Sequence, residues 1–404
     1  MKRSTIGLQA MAGLSLKMLR HPWIAGRLAG LQTAKYLFNA FNVRGDEGRG
    51  HKIRQLSLRV TDRCNLRCTT CGQWGEGGFM HGKNLEQCFR EEVSAERYID
   101  IIRDLYGHGH RPVVYLWGGE PMLYKGTPDI IAAAAALHLP VAIATNGTRI
   151  AAAAQRLVAA PLFLLQISID GHCAELHNRL RPSGSGKSGN FAAIEEGLAA
   201  VHEKRRLQKR RLPFIAALTT VSRDNAHHLV DIYNAFCDRV DFFIYYLSWW
   251  IDEDSAQKHE EDFSRRFGFA PRLHRGWIGG WKPDDYAALD EEIQRLRRKP
   301  SSLSSPPVIL MPFISGIDDL RRYYTDHACT FGFNQCISIY QAAEIDSNGD
   351  VSPCRDYHDY VAGNIKDRYL TEIWNSPAYR SFRKSLSQDG LMPVCTRCCG
   401  LMGY

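Results

Sequence analysis

The sequence predicts an α/β protein: an incomplete barrel of six parallel strand–helix units, with a small metal-binding domain at its C-terminal end. Three observations predict it. Short apolar runs alternate with helical stretches between residues 51 and 247. Cysteines bunch at Cys64, Cys68 and Cys71, and again at Cys395, Cys398 and Cys399. Between the two groups, a charged and aromatic stretch breaks the alternation.

The strand candidates are Gln55–Val60, Val113–Trp117, Val141–Thr145, Phe163–Ile169, Phe214–Val221 and Phe242–Leu247. Each is rich in β-branched, aromatic or aliphatic residues, as a strand buried on both faces requires. Helical stretches such as Ser94–Leu105 and Ile130–Leu137 lie between them. Right-handed crossovers then give a parallel sheet, and active residues should gather at the C-terminal ends of its strands. Residues 249–315 are rich in charge and aromatics, and Pro300–Pro307 reads as a linker or extended loop. The run Glu203–Arg211 reads as a solvated helix face. The expected division is 1–50 cationic segment, 51–250 core, 251–324 variable insertion or linker, and 325–404 cysteine-bearing domain.

With 45% hydrophobic and 23% charged residues, the 404-residue chain is not a disordered one. No uninterrupted apolar stretch is long enough for a membrane-spanning helix. Residues 1–44 carry Lys2, Arg3, Lys17, Arg20, Arg27, Lys35 and Arg44 and no acid, so nearly all of the net +8 sits there. The body is close to neutral, and no nucleic-acid partner is expected. Closely spaced cysteines suit metal ligation rather than long-range disulfides, which implies a reducing cytoplasm.

Lys17 and Arg20 interrupt the apolar stretch after Met1, and no small-residue cleavage site follows, so the N-terminus is not read as an export signal. Leu8, Met11, Leu14 and Met18 instead make an apolar helical stripe among cations. Such a helix suits either peripheral contact with an anionic membrane or packing against the main domain.

The first cysteine group, Cys64-Asn-Leu-Arg-Cys68-Thr-Thr-Cys71, directly follows the first strand. Three thiolates suit zinc with a fourth ligand, or an iron–sulfur cubane with one iron left open. Further short motifs recur at successive strand ends: Gly118-Gly119-Glu120-Pro121, Thr145-Asn146-Gly147, Ser168-Ile-Asp170, and His177-Asn-Arg-Leu-Arg181 with Gly189-Asn-Phe191. The set resembles the radical S-adenosylmethionine (SAM) superfamily. The resemblance implies a partial (β/α)6 barrel of the radical SAM type with a small C-terminal iron–sulfur-binding domain. It implies that Cys64, Cys68 and Cys71 hold a 4Fe–4S cluster whose open iron chelates SAM. Gly118, Gly119, Glu120 and Pro121 would receive the methionine ammonium, Asn146 would lie at the SAM site, Ser168 and Asp170 would make polar contacts to the ribose, and Arg181 would meet the carboxylate. One departure is Thr70, where the family often has an aromatic residue near the adenine.

The second group is Cys336-x12-Gly349-x4-Cys354, followed by Cys395-x2-Cys398. It resembles the auxiliary-cluster extension called SPASM, or its shorter form, twitch. Asn348-Gly349-Asp350 is also a strong hairpin signal on physical grounds. The resemblance implies one auxiliary 4Fe–4S cluster on Cys336, Cys354, Cys395 and Cys398, with Cys329 or Cys399 as variant ligands. Four thiolates would equally hold structural zinc. Cys88, Cys173 and Cys237 read as ordinary thiols.

The implied activity is reductive cleavage of SAM to a 5′-deoxyadenosyl radical, followed by hydrogen abstraction from a substrate. The auxiliary cluster would transfer electrons or anchor that substrate. A flavodoxin- or ferredoxin-type donor is implied. Residues 1–44 and Tyr245–Trp250 lean toward a membrane-associated or hydrophobic substrate. The alternatives are a peptide- or protein-modifying maturase and a non-catalytic iron–sulfur or zinc module.

Overall fold

The computed structural model describes residues 48–186, 189–248, 250–299 and 305–402. The cationic segment 1–44, Trp249 and most of Pro300–Pro307 therefore lie outside the described residues.

Among the described residues, ten strands form one sheet: β1 (Gln55–Thr61), β2 (Val113–Gly118), β3 (Val141–Thr145), β4 (Leu164–Ser168), β5 (Phe214–Val221), β6 (Phe242–Leu247), β7 (Val308–Met311), β8 (Ala342–Ile345), β9 (Asp350–Ser352) and β10 (Gly363–Asn364). Strands β1 to β7 run parallel in chain order, and β8 pairs parallel with the other side of β1. Antiparallel β9 and β10 finish that edge. The six expected strands are all present, with ends shifted by a residue or so.

Leu56, Leu58 and Val60 are buried on one face of β1 while Ser57 and Arg59 are buried on the other. A parallel sheet covered on both faces demands this. The helix Ala95–Gly107 shows how the cover is built. Ser94 caps its start by accepting from Arg97 N at 3.3 Å. Its buried Tyr98, Ile101, Ile102 and Leu105 fall at helical spacing. Each such side chain, fully buried, contributes about 1.5–3 kcal/mol.

The stretch read as an insertion or linker holds more structure than expected. It contains the helices Glu253–Phe267, Tyr286–Arg297 and Ile317–Thr325, and it supplies β7 to the sheet. The four residues Val-Ile-Leu-Met of β7 are too short, and too close to prolines, to stand out by periodicity. The C-terminal part is likewise continuous with the core through the β1–β8 pairing. The expected hairpin is present: Gly349, at φ +93°, turns β8 into β9, and Cys354 follows two residues after β9. The run Glu203–Arg211 leaves its helix at Leu207, and Glu203, Arg206, Leu207 and Lys209–Arg211 are exposed.

Candidate active site

The three cysteines of the first group sit on the loop leaving β1 at the C-terminal end of the strand. That loop is laced to the segment 180–184: Arg67 N donates to Pro182 O at 2.8 Å, Thr69 N to Leu180 O at 3.0 Å, and Gly184 N to Asn65 O at 2.9 Å. Backbone donors meet two of the sulfurs, Leu66 N to Cys64 Sγ at 3.5 Å and Trp74 N to Cys71 Sγ at 3.4 Å. Burial pushes the Cys64 and Cys68 thiols up to about 11 and about 12. Thiols so placed stay protonated until a cation displaces the proton, which is how metal loading couples to pH.

Gly118 and Gly119 lie against this loop. Gly119 N donates to Thr61 O at 2.8 Å and Glu120 N to Arg63 O at 2.7 Å. A Cβ on Gly118 would stand 2.3 Å from Thr61 O, and one on Gly119 2.3 Å from Arg63 O, so both positions require glycine. Pro121 opens a single short turn after them.

Glu120 is fully buried. Its carboxylate accepts from Thr145 Oγ1 and Asn146 N at 2.7 Å each and from Met122 N at 2.9 Å. Burial raises its pKa against those bonds. It therefore clamps the β2 exit to the β3 exit. Asn146 continues the chain of contacts, donating through Nδ2 to Asn65 Oδ1 at 2.9 Å. Asn65, between the first two cysteines, was not singled out from sequence; its position inside the cysteine motif was the available signal.

Ser168 ends β4, half-buried. Asp170 is engaged on both oxygens: Oδ2 accepts from Arg181 Nε at 2.7 Å and Oδ1 from Thr220 N at 2.8 Å. Arg181 also donates from Nη1 to Cys68 Sγ at 3.6 Å. Burial alone would lower the Arg181 pKa, but Asp170 and Cys68 outweigh it and leave it raised. His177, fully buried, accepts from Asp170 N at 3.3 Å, and burial with Arg181 nearby pulls it down to about 3, so it is neutral.

Cys336, Cys354, Cys395 and Cys398 line one closed cavity walled by Phe263, Phe382, Leu386, Met392 and Val394. Burial raises all four thiols, Cys395 to about 12. Four convergent thiols in a dry apolar shell fit a fully ligated metal centre. Cys398 Sγ and Cys399 Sγ both meet the Asp356 carboxylate, at 2.8 Å and 3.2 Å, but Cys399 lines the barrel cavity and not the closed one. Cys329 lines neither cavity; its carbonyl accepts from Arg397 Nη1 at 3.0 Å.

That barrel cavity has a volume of ≈ 310 Å³. Thr70 and Gln73 from the first cysteine loop line it together with Arg355, Asp356 and Cys399 from the C-terminal part. Its walls are mixed and more apolar than polar: Arg59, Gln166, Glu344 and His358 line it together with Tyr115, Trp117 and Tyr246. Tyr246 points in while Tyr245 is buried outside, donating to Leu229 O at 2.9 Å, as strand alternation dictates. Glu344 on β8 is 1% exposed, and neither carboxylate oxygen has a hydrogen-bond partner among the described residues; Ser57 and Arg355 stand beside it. Thr70 also borders a second cavity of ≈ 440 Å³ with Trp250, Trp277 and Trp281.

Residues 58–231 match the family described as the radical SAM superfamily, and residues 336–399 match SPASM, an iron–sulfur cluster-binding domain.

The chain is a radical SAM enzyme.

This radical SAM enzyme is 26% identical over 354 residues to the AdoMet-dependent heme synthase of Oleidesulfovibrio alaskensis, covering 85% of this chain and 80% of that relative. It is 32% identical over 186 residues to the GTP 3′,8-cyclase of a Mycobacterium species, covering 45% of this chain and 49% of that one. Its fold resembles native anSMEcpe with bound AdoMet and Cp18Cys peptide, with TM-score 0.54, 19% identity and coverage of 87% and 88% of the two chains. It also resembles Streptococcus suis SuiB bound to precursor peptide SuiA, with TM-score 0.55, 14% identity and coverage of 91% and 75%. The radical SAM domain binds a 4Fe–4S cluster and SAM, and the SPASM domain binds auxiliary iron–sulfur. Among the described residues, no helix is long and apolar enough to cross a membrane.

Proposed function

We propose that Cys64, Cys68 and Cys71 hold the SAM-binding cluster and that Cys336, Cys354, Cys395 and Cys398 hold one auxiliary 4Fe–4S cluster. Gly118, Gly119, Glu120, Pro121, Asn146, Ser168, Asp170 and Arg181 border the SAM site. A reduced cluster and SAM held by these residues would supply 5′-deoxyadenosyl-radical chemistry for hydrogen abstraction from a substrate C–H bond. The chain's own work is to hold that C–H bond in the barrel cavity and keep water out. Asp170 and Glu120 act mainly by positioning, since their carboxylates are already engaged by Arg181, Thr220 N, Thr145 and Asn146 N.

The reading rests on one observation: a single cavity is lined both by the first cysteine loop, through Thr70, and by Asp356, whose Oδ2 accepts from Sγ of the auxiliary cysteine Cys398 at 2.8 Å. A substrate there lies between the radical source and an electron acceptor. Four thiolates on the auxiliary cluster leave no open iron, which favours electron transfer over substrate anchoring. A mostly apolar wall carrying Arg59, Gln166, Glu344 and His358 suits a substrate with an apolar body and a few hydrogen-bonding atoms. Peptides share that chemistry, which is the observation behind the maturase reading; the fold neighbours above were solved with peptides.

Anaerobic reconstitution tests the proposal. The wild type should bind about eight irons per chain and release 5′-deoxyadenosine, and Cys68→Ala should lose about four irons and the nucleoside product. Zinc in place of iron, with no SAM cleavage, would support a non-catalytic module instead. Reduction by flavodoxin or ferredoxin tests the donor. Co-sedimentation with anionic vesicles, for the full chain and for one lacking residues 1–44, tests peripheral membrane contact.

A further inference from the structure

We propose that His172, His228 and Asp231 form a binding site for one zinc ion on the rim of the barrel, apart from both cysteine sites. His172 lies on the loop after β4, two residues beyond Asp170. His228 precedes the helix Leu229–Phe236 on the connection after β5, and Asp231 is in the first turn of that helix. One ligand atom from each of the three lies within 4.8 Å of the others. The two imidazoles are 5.0 Å apart between centroids at 42°, and His228 Nδ1 is 3.0 Å from Asp231 Oδ2.

Two observations go beyond proximity. His172 Nδ1 is buried and has no hydrogen-bond partner among the described residues, so one member of the group carries an unsatisfied basic nitrogen. The side chains of His228 and Asp231 are 43% and 52% exposed, so water can complete a tetrahedral shell. Donor atoms around zinc stand roughly 3.3 Å apart, so only His172 has to approach, by about an ångström or slightly more. Two imidazoles and one carboxylate suit a borderline transition-metal cation; magnesium and calcium prefer oxygen alone.

The site would tie the β4 exit to the β5 exit. The same two connections already meet where Asn225 Nδ2 donates to Asp170 O at 3.0 Å and to Thr220 O at 2.9 Å. Zinc there would brace the rim that carries Asp170 without touching substrate.

The test uses the cluster-loaded full chain, dialysed against micromolar zinc sulfate under anaerobic conditions. The wild type should retain about one zinc per chain with its iron content unchanged, and zinc-edge X-ray absorption should show nitrogen and oxygen neighbours near 2.0–2.1 Å. His228→Ala and the half-exposed Asp231→Ala should each weaken retention by about tenfold or more, with iron content and nucleoside release as in the wild type. The proposal is overturned by a sulfur shell around the zinc, by no retention, or by variants that hold zinc as the wild type does. His172→Gln, which keeps a polar group of similar size, gives a further reading: unaltered retention would remove His172 from the site.

Discussion

Arg181 donates through Nε to Asp170 Oδ2 at 2.7 Å, and the same guanidinium reaches Cys68 Sγ at 3.6 Å. One side chain thus joins the β4 exit to the cysteine loop after β1. Both members of the ion pair are nearly buried, with side chains 10% and 3% exposed. Removing the cation would leave Asp170 as an uncompensated buried charge. Arg181→Ala should therefore cost about 3–5 kcal/mol in denaturant unfolding and abolish tight SAM binding. Arg181→Lys keeps the charge but loses the forked donor set, and should fall between the two.

Gly119→Ala should disturb the cysteine loop directly. The added methyl would sit 2.3 Å from Arg63 O and 2.6 Å from Asp62 O, both backbone atoms of that loop. Overpacking of this kind costs about 1–3 kcal/mol. Reduced iron loading at the first site, with the auxiliary site intact, is the expected signature in iron analysis and electron paramagnetic resonance.

Cys398 and Cys399 are neighbours in sequence and share the Asp356 carboxylate, yet they line different cavities. Cys398 lines the closed cavity with three other cysteines, and Cys399 lines the barrel cavity. Cys398→Ala should lose about four irons per chain, and Cys399→Ala should keep them. The opposite pattern would move the auxiliary ligand set to Cys399.

Glu344→Gln should stabilise the apo chain. Its carboxylate is buried beside Ser57 and 3.9 Å from Arg355 Nη1, and burial raises its pKa in spite of them. A raised carboxylate binds its proton more tightly folded than unfolded, so its contribution falls as pH rises through the folded value. The gain from glutamine should be small near pH 5, grow toward pH 8, and reach about 1–3 kcal/mol in urea unfolding. A loss of stability at pH 8 would mean that the ion pair with Arg355 outweighs the cost of burying the charge.

His327 gives the opposite slope. Burial and Arg397 hold it down to about 4, and neither ring nitrogen has a partner among the described residues. The unfolded chain takes up a proton below about pH 6.5 that the folded chain refuses. Stability therefore falls as pH drops from that value toward about 4. His327→Phe, which keeps the ring against Trp250, should flatten the fall when wild type and variant are unfolded across pH 4–7.

Much of the site was legible from local spacing. The strands of the barrel stand out because burial on both faces demands continuous apolar runs, and β1 to β6 lie where those runs are. Cys64, Cys68 and Cys71 fall together because eight residues of one loop cannot spread far, and Asn348-Gly349 turns its hairpin through its own backbone preference. These features are decided by neighbours in the chain, so the chain displays them.

Partners far apart in sequence were decided only by packing. Nothing local tells that Ser57 and Arg59 of β1 share a cavity wall with Glu344 and Arg355, or that Asp170 spends both oxygens on Arg181 and Thr220. Nor does spacing reveal that Cys398 turns into one cavity while Cys399 turns into another. The sequence by itself determined the strands, the cysteine motifs and the chemistry they can support. The tertiary structure decided which polar groups are buried together and which remain without partners, because burial and pairing are set by surfaces that meet only after the sheet has closed around them.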